Sequence, residues 1–269
     1  ATDGFLGADL AGLVRAAAES ATATGRPLDL ILLPESGVPF YSTVDFYLNR
    51  RYKIYNSEFA ALVGELSTEH KAHVFFNEVN IRNGVDAAGR RRDEPRNSAA
   101  MYNGRGERVY EYDKRRLLAF GEYAPGEDLW KSMGLTRFLP AIVRDSRFYP
   151  GPPAGGAPYA GGQFLPSICY EVIFPDYVRE QFRENEGADF LVNLVQDGWY
   201  GDTDENMQHF ELARMRSIEL RRALVRVNNN GISGMADLSG RFAEPIAGPR
   251  LTRFGEAGFQ VFDVPVHRA

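Results

Sequence analysis

Three short stretches place reactive side chains just past apolar, strand-like runs: Leu32-Leu33-Pro34-Glu35-Ser36, Tyr112-Asp113-Lys114-Arg115-Arg116 and Leu165-Pro166-Ser167-Ile168-Cys169-Tyr170-Glu171. The first offers a carboxylate. Proline ends the run, and partial burial at a sheet edge raises a carboxyl pKa toward that of a working base. The second offers a compact cation that can face a developing oxyanion, with a further carboxylate, Glu122, eight positions on to fix it. The third offers a thiol at a strand-to-helix elbow, where the N–H of the next residue, Tyr170, can point at the same oxyanion. Taken singly, each pattern is more often structural, because solvated loop acids, solvated charge runs and core-packed cysteines are all common. Glu171 just beyond the thiol is less usual beside an inert core cysteine.

Composition removes several alternatives. Cys169 is the single cysteine, so an internal disulfide and a cysteine-rich metal site are excluded. His70, His73, His209 and His267 fall in no cysteine–histidine motif, which leaves Glu35 as the natural proton acceptor. Neither HExxH nor CxxC spacing occurs, and the glycines form no P-loop or dinucleotide fingerprint, so neither a metal nor another cofactor is expected. The net charge of -5 is well mixed in sign, and no basic stripe suits a nucleic-acid partner. At 269 residues, 44% of them hydrophobic, the chain is expected to form one domain over 1–269. Its longest apolar runs, 28–34 and 190–195, fall far short of the roughly 20 residues that cross a bilayer, so by itself it reads as soluble. The N-terminus lacks the order of charges and apolar residues of a signal peptide.

The elements that must position these groups alternate. Helical spacing over 7–24 leads to a buried strand at 28–33, a helical pattern over 46–71 and a strand at 73–78. The polar stretch 81–96 predicts a turn or exposed hairpin loop, and Asn103-Gly104-Arg105-Gly106 joins two short strands at 98–102 and 108–112. Residues 124–162 hold no clear period and are long for a plain connection; Leu129, Trp130, Met133, Leu135, Phe138, Leu139 and Ile142 make them a candidate lid or arm, or a packed surface loop. The second half reads as a strand at 163–170, a helix at 175–186, a strand at 190–195, a loop at 197–202, a helix at 206–222 and a strand at 223–228. After the turn Asn229-Asn230-Gly231 come two or more further strands.

Leu33-Pro34-Glu35, Lys114 with Glu122, and Cys169-Tyr170-Glu171 resemble, in order and spacing, the Glu-Lys-Cys centre of the nitrilase, or carbon-nitrogen hydrolase, superfamily. Tyr112-Asp113-Lys114-Arg115-Arg116-Leu117 with Phe120-Gly121-Glu122-Tyr123-Ala124-Pro125, the run 169–175, and the stretches 193–202, 208–216 and 229–231 narrow the likeness to the catalytic domain of apolipoprotein N-acyltransferases. The likeness spans about 28–240. It implies an α/β fold of nitrilase type, a four-layer α-β-β-α sandwich, with Glu35 as general base, Cys169 as nucleophile and Lys114 as oxyanion partner. Glu122 would orient Lys114 or the substrate, and Tyr170, Glu171 and Trp199 would line or support the pocket. The implied partners are a phospholipid acyl donor, a lipoprotein N-terminus as acceptor and a membrane surface, on the periplasmic face of the bacterial inner membrane if the chain belongs to a full-length family protein.

Three departures accompany the likeness. The family pattern has membrane helices before this domain and a strand before its first helix. Neither is read in this sequence, so either an excised domain or a soluble relative is expected. Arg116 and Ala119 stand where histidine and proline are usual. The alternatives are a soluble amidase using the same groups on a small amide, and a catalytically silent lipid- or peptide-binding module.

Overall fold

The computed structural model describes residues 3–36, 57–85, 89–138, 148–159, 161–185 and 187–266. Helix α1 (Asp3–Ala23) leads to β1 (Leu30–Leu32), α2 (Ser57–His70), β2 (His73–Val85), β3 (Arg91–Tyr102) and β4 (Arg108–Asp113). A short helix α3 (Glu127–Ser132) and a 3-10 turn (Thr136–Phe138) follow. Then come β5 (Ala157–Tyr159), β6 (Gly162–Ile168), a 3-10 turn (Cys169–Ile173), α4 (Pro175–Glu184) and β7 (Phe190–Gln196). A third 3-10 turn (Gly198–Tyr200), α5 (Glu205–Leu220), β8 (Ala223–Asn229) and β9 (Gly234–Ala236) complete the order. Part of the helical pattern expected over 46–71, the Leu139 and Ile142 members of the candidate arm, and His267 lie outside the described residues.

Two sheets form, ordered β1-β2-β3-β4 and β5-β6-β7-β8-β9. Their layering follows from side-chain alternation, because successive residues of a strand face opposite sides. Phe164, Ile168, Val192, Leu194 and Val225 face the first sheet and pack with its Phe75, Met101 and Tyr112. The intervening Leu165, Leu191 and Leu224 face outward and are covered by Tyr177 and Val178 of α4 and Phe210 and Ala213 of α5. On the other side Val74, Phe76 and Ala100 turn out beneath Val14 of α1 and Phe59, Val63 and Leu66 of α2. Both faces of β7 are therefore dry, which explains its near-continuous apolar sequence. The result is the expected four-layer α-β-β-α arrangement.

One expectation fails. Residues 81–85 and 91–96 of the polar stretch are ladder rather than exposed loop, since β2 and β3 pair antiparallel from Val74↔Tyr102 to Val85↔Arg91. Polarity misled because this end of the ribbon is held by cross-strand polar pairs such as Arg82↔Glu94 and by ion pairs of Arg96 with Glu94 and Asp113. A smaller difference matters more for chemistry: the strand expected to run to Tyr170 stops at Ile168, so Cys169 opens a tight turn.

Strands β6, β7 and β8 run parallel, and β1 runs parallel to β2. Open α/β sheets present their sites beyond the carboxyl ends of such strands. Glu35 lies beyond β1, Lys114 directly after β4, Cys169 directly after β6 and Asp197 directly after β7.

Candidate active site

Glu35 follows a strand that Pro34 cannot extend, because proline lacks the N–H a ladder requires. The next residue, Ser36, turns sharply with φ 53, and its N–H donates to Asn77 Oδ1 at 2.9 Å. The turn leaves the Glu35 carboxylate buried, with Oε1 accepting from Asn97 Nδ2 at 2.7 Å. The other oxygen, Oε2, is buried without a hydrogen bond. Burial pushes the Glu35 pKa up and the Glu122 charge adds to this, against Lys114, Asn97 and the Cys169 thiol, which favour the charged form.

Lys114 is held at both ends of its backbone, its N–H donating to Asn97 O and its carbonyl accepting from Gly151 N, each at 2.8 Å. Glycine is required at 151 by close approach: a Cβ there would sit 2.3 Å from the Asp113 carbonyl oxygen. The Lys114 ammonium is buried, 2.9 Å from Glu122 Oε2 and 4.0 Å from Glu35 Oε1. Burial works against its charge, but Glu35, Cys169 and Glu122 outweigh this and hold its pKa above the ordinary lysine value. Glu122 in turn closes its own loop by accepting from Leu118 N–H at 2.8 Å.

Cys169 takes φ 54, a left-handed conformation that a side chain rarely adopts and that projects the thiol from the strand end. Its carbonyl accepts from Asn193 Nδ2 at 3.1 Å. Burial, reinforced by the Glu35 charge, pushes the thiol pKa well above its usual range, and Lys114 pulls it down. The thiol is thus a neutral acid beside an ammonium and beside a carboxylate with a free acceptor oxygen. That set can deprotonate sulfur at the moment of attack and meet a developing oxyanion with positive charge.

The supporting residues divide. Glu171 is fully buried and makes no wall of an open pocket. It accepts from Arg115 N–H at 2.6 Å, Arg116 N–H at 3.0 Å, Ile168 N–H at 2.8 Å and the Tyr112 hydroxyl at 2.9 Å, and so ties the lysine loop to the cysteine turn. Arg116 serves here through its backbone N–H, and its guanidinium lies over the Tyr177 ring. Tyr170 stacks on His209 with ring centroids 4.2 Å apart and donates its hydroxyl hydrogen bond to Glu205. Trp199 stands out into solvent, 69% exposed.

Sequence reading missed two groups of residues. Asn97 donates to both Glu35 and Glu122, the latter at 2.9 Å, and is itself held by Asn77 at 2.7 Å. Behind the cysteine, Asp197 accepts from His209 Nδ1 at 2.9 Å and from Arg226 and Asn228, each at 2.5 Å, while Arg226 also donates to Asn193 at 2.8 Å. The signal was available: Asn77, Asn193 and Arg226 interrupt strands that are otherwise apolar. A buried polar side chain there persists only with partners.

A family model described as carbon-nitrogen hydrolase matches residues 7–252. An apolipoprotein N-acyltransferase 2 of Leptospira interrogans is 37% identical, over 83% of this chain and 44% of that protein. An apolipoprotein N-acyltransferase of Brucella melitensis is 34% identical, over 85% of this chain and 40% of that protein. The chain therefore spans about two fifths of the length of these curated relatives. Among solved structures, a carbon-nitrogen hydrolase from Helicobacter pylori aligns with a TM-score of 0.58 at 15% identity, over 87% of this chain and 78% of that one. A mutant of the Nesterenkonia AN1 amidase from the nitrilase superfamily aligns with a TM-score of 0.55 at 18% identity, over 85% and 76%. At these identities the solved structures speak to the fold alone.

Proposed function

Because the chain belongs to the carbon-nitrogen hydrolase family, we propose that it is the catalytic part of an apolipoprotein N-acyltransferase, moving an acyl chain through a Cys169 thioester. The observation that carries this reading is the free Oε2 of a buried, raised-pKa Glu35 in company with the Cys169 thiol and the Lys114 ammonium. The names of the curated relatives supply the substrate class.

In the first half-reaction Glu35 takes the thiol proton and sulfur attacks the ester carbonyl of a phospholipid. Lys114 and the Tyr170 N–H stabilise the oxyanion. The carbon–oxygen ester bond breaks, Glu35 returns the proton to the departing lysophospholipid oxygen, and a thioester remains. In the second, the amino group of a lipoprotein N-terminus attacks the thioester, and Glu35 takes a proton from that nitrogen. The carbon–sulfur bond then breaks, leaving an amide and, after reprotonation, the free thiol. Glu122, Tyr170 and Glu171 hold the reacting groups rather than exchange protons, and no step calls on a metal or cofactor.

Exposed Phe120, Leu129, Met133, Phe138 and Trp199 offer apolar surface for a lipid. Residues 1–269 are read as one catalytic unit, with 124–162 as the arm that meets the lipid surface. No helix of the described residues is long and apolar enough to cross a membrane. The implied place of work is the periplasmic face of the bacterial inner membrane.

The test is intact-protein mass spectrometry after incubation with phospholipid in detergent micelles. One acyl chain added to the wild type, absent from Cys169→Ala and discharged by an amine, is the expected result. Ammonia release from small amides with no adduct would replace the transferase by an amidase; neither outcome would leave the silent binding module.

A further inference from the structure

Next to Tyr170, the residue after the nucleophile, lies a carboxylate that makes no ion pair with a lysine or arginine among the described residues. Glu205, in the first turn of α5, keeps 23% of its side chain exposed. One oxygen accepts the Tyr170 hydroxyl hydrogen bond, and the other, Oε2, is buried with no hydrogen bond. The neighbouring basic groups are committed elsewhere. Arg226 lies 2.5 Å from Asp197, and Asp197 also accepts from His209 Nδ1. His209 is 3.9 Å from Glu205, but burial and the Arg226 charge depress its pKa to about 4, so at neutral pH it brings no charge. Arg226 pairs with Asp197 and acts on Glu205 only as a more distant charge, so burial prevails and raises the Glu205 pKa, which leaves this carboxylate short of positive charge.

The frame around that charge is aromatic. Tyr170 stacks on His209 along one side, and its ring centroid lies 6.2 Å from that of Tyr200 at an interplanar angle of 62°. Tyr200 is partly exposed, and the exposed Trp199 precedes it. This wall adjoins the turn that carries the nucleophile, because Tyr170 follows Cys169 within the same 3-10 turn.

A carboxylate set among aromatic rings suits an organic cation, because any ring face not already covered, as one face of Tyr170 is by His209, adds its attraction to the ion pair. A divalent metal fits poorly. Asp197, Glu205 and His209 do bring ligand atoms within 4.8 Å of one another. Yet both Asp197 oxygens and His209 Nδ1 are already hydrogen-bonded, and the Arg226 guanidinium adjoins them.

We infer that Glu205, Tyr170 and Tyr200, with Trp199 at the rim, form a subsite for the alkylammonium group of a substrate. The inference rests on the acyltransferase reading only in naming the cation's source, which is either the acceptor amine or an aminoalcohol head group on the acyl donor. Both present the same ammonium to the same wall.

Its first test needs no acyl chemistry. The rate of Cys169 alkylation by iodoacetamide is measured in the whole chain against rising ethanolammonium chloride, with ethylene glycol and sodium chloride at matched concentrations as controls. Saturable protection by ethanolammonium alone is expected. Glu205→Gln, which keeps an acceptor for Tyr170, should weaken protection about fivefold or more, the scale of losing a partly exposed ion pair. Glu205→Asp should restore part of it, which separates loss of charge from loss of fold. Equal protection in wild type and Glu205→Gln, or equal protection by sodium chloride, overturns the subsite.

A second test locates the source. If Glu205→Gln slows acyl-adduct formation from an ethanolamine phospholipid but not from a glycerol phospholipid, the donor head group occupies the subsite. If instead it slows only discharge of the preformed adduct by a peptide amine, the acceptor does. No change in either arm overturns the assignment to substrate. Protection without any adduct would keep the subsite and remove the acyltransferase; an adduct without protection would do the reverse.

Discussion

Two buried carboxylates flank the same cysteine, and their surroundings drive them in opposite directions. Asp197 has both oxygens occupied, by His209, Arg226 and Asn228; burial alone would raise its pKa, but the His209 hydrogen bond and the Arg226 charge outweigh burial and hold it below the ordinary value. Glu35 has one oxygen occupied and one empty, and for it burial prevails. Separation of two acids by environment is how one scaffold assigns a proton carrier and a fixed charge. A saturated carboxylate is scaffold. One with an open acceptor beside a thiol is poised to take a proton.

The comparison breaks most sharply at Glu35. Glu35→Gln keeps shape and the Asn97 contact but cannot accept a proton, so acyl-adduct formation should fall by about 10²–10⁴. Stability should not fall with it. The folded pKa of Glu35 is raised, so its contribution to stability is full below the usual carboxylate value of 4.5 and is lost as pH rises through the folded pKa. The glutamine variant lacks that loss, and denaturant titrations at several pH values should show it as stable as the wild type or more so near neutrality. A Glu35→Gln variant that unfolds would make Glu35 scaffold like Asp197.

At Asp197 the expectation reverses. Arg226→Met leaves a fully buried carboxylate without its cation, and Arg226 and Asp197 side chains are both 0% exposed. Breaking such a pair costs about 3–5 kcal/mol, readable by urea denaturation. Asp197→Asn with Arg226→Met together should recover part of that cost, because no charge is then stranded. If Arg226→Met proves as stable as the wild type but inactive, the cluster is catalytic and the contrast with Glu35 fails.

The third expectation concerns His209, which belongs to the Asp197 side. Burial lowers its pKa from 6.5 to about 4. A depressed folded pKa gives stability that is complete above 6.5 and is lost as pH falls through 4, amounting to about 3 kcal/mol. Wild type should thus lose more stability than His209→Gln between pH 7 and pH 4. Parallel stability curves for the two proteins would show that His209 does not titrate differently in the folded chain.

How far the sequence could disclose this pair is instructive. Glu35, Lys114 and Cys169 were visible because each ends a strand-like run, and strand ends of an α/β sheet converge. The layers were visible too, since runs such as Phe190-Leu191-Val192 must be covered on both faces. What stayed hidden is pairing across distance. Asn97 sits 62 positions from Glu35, and Arg226 sits 29 from Asp197. Local periodicity carries no record of which buried polar groups satisfy one another. The ribbon of β2 and β3 was missed for the same reason, its polar residues making sense only in register with each other.

Asn97 provides the finest test of the contrast, because it is one of the few groups that pull the Glu35 pKa down. Its Nδ2 is shared between Glu35 Oε1 at 2.7 Å and Glu122 Oε1 at 2.9 Å, and Asn77 fixes its orientation. Removing the side chain withdraws a hydrogen bond from the charged form of Glu35 and leaves burial less opposed. The pKa of the base then rises, and the acid limb of the pH–rate profile moves to higher pH. A lost hydrogen bond to a charged group is worth about 1.5–3 kcal/mol, and a pKa unit about 1.4. For Asn97→Ala the limb should therefore shift upward by about one unit, while activity on the high-pH plateau stays within about tenfold of wild type. Asn97→Asp makes the opposite change in chemistry, adding a third carboxylate where a donor stood, and like-charge repulsion should move the limb further still. An unmoved limb in both variants, with activity lowered equally at every pH, would mean that Asn97 only holds Glu35 in place; an open acceptor oxygen would then be insufficient to tell a proton carrier from a scaffold acid.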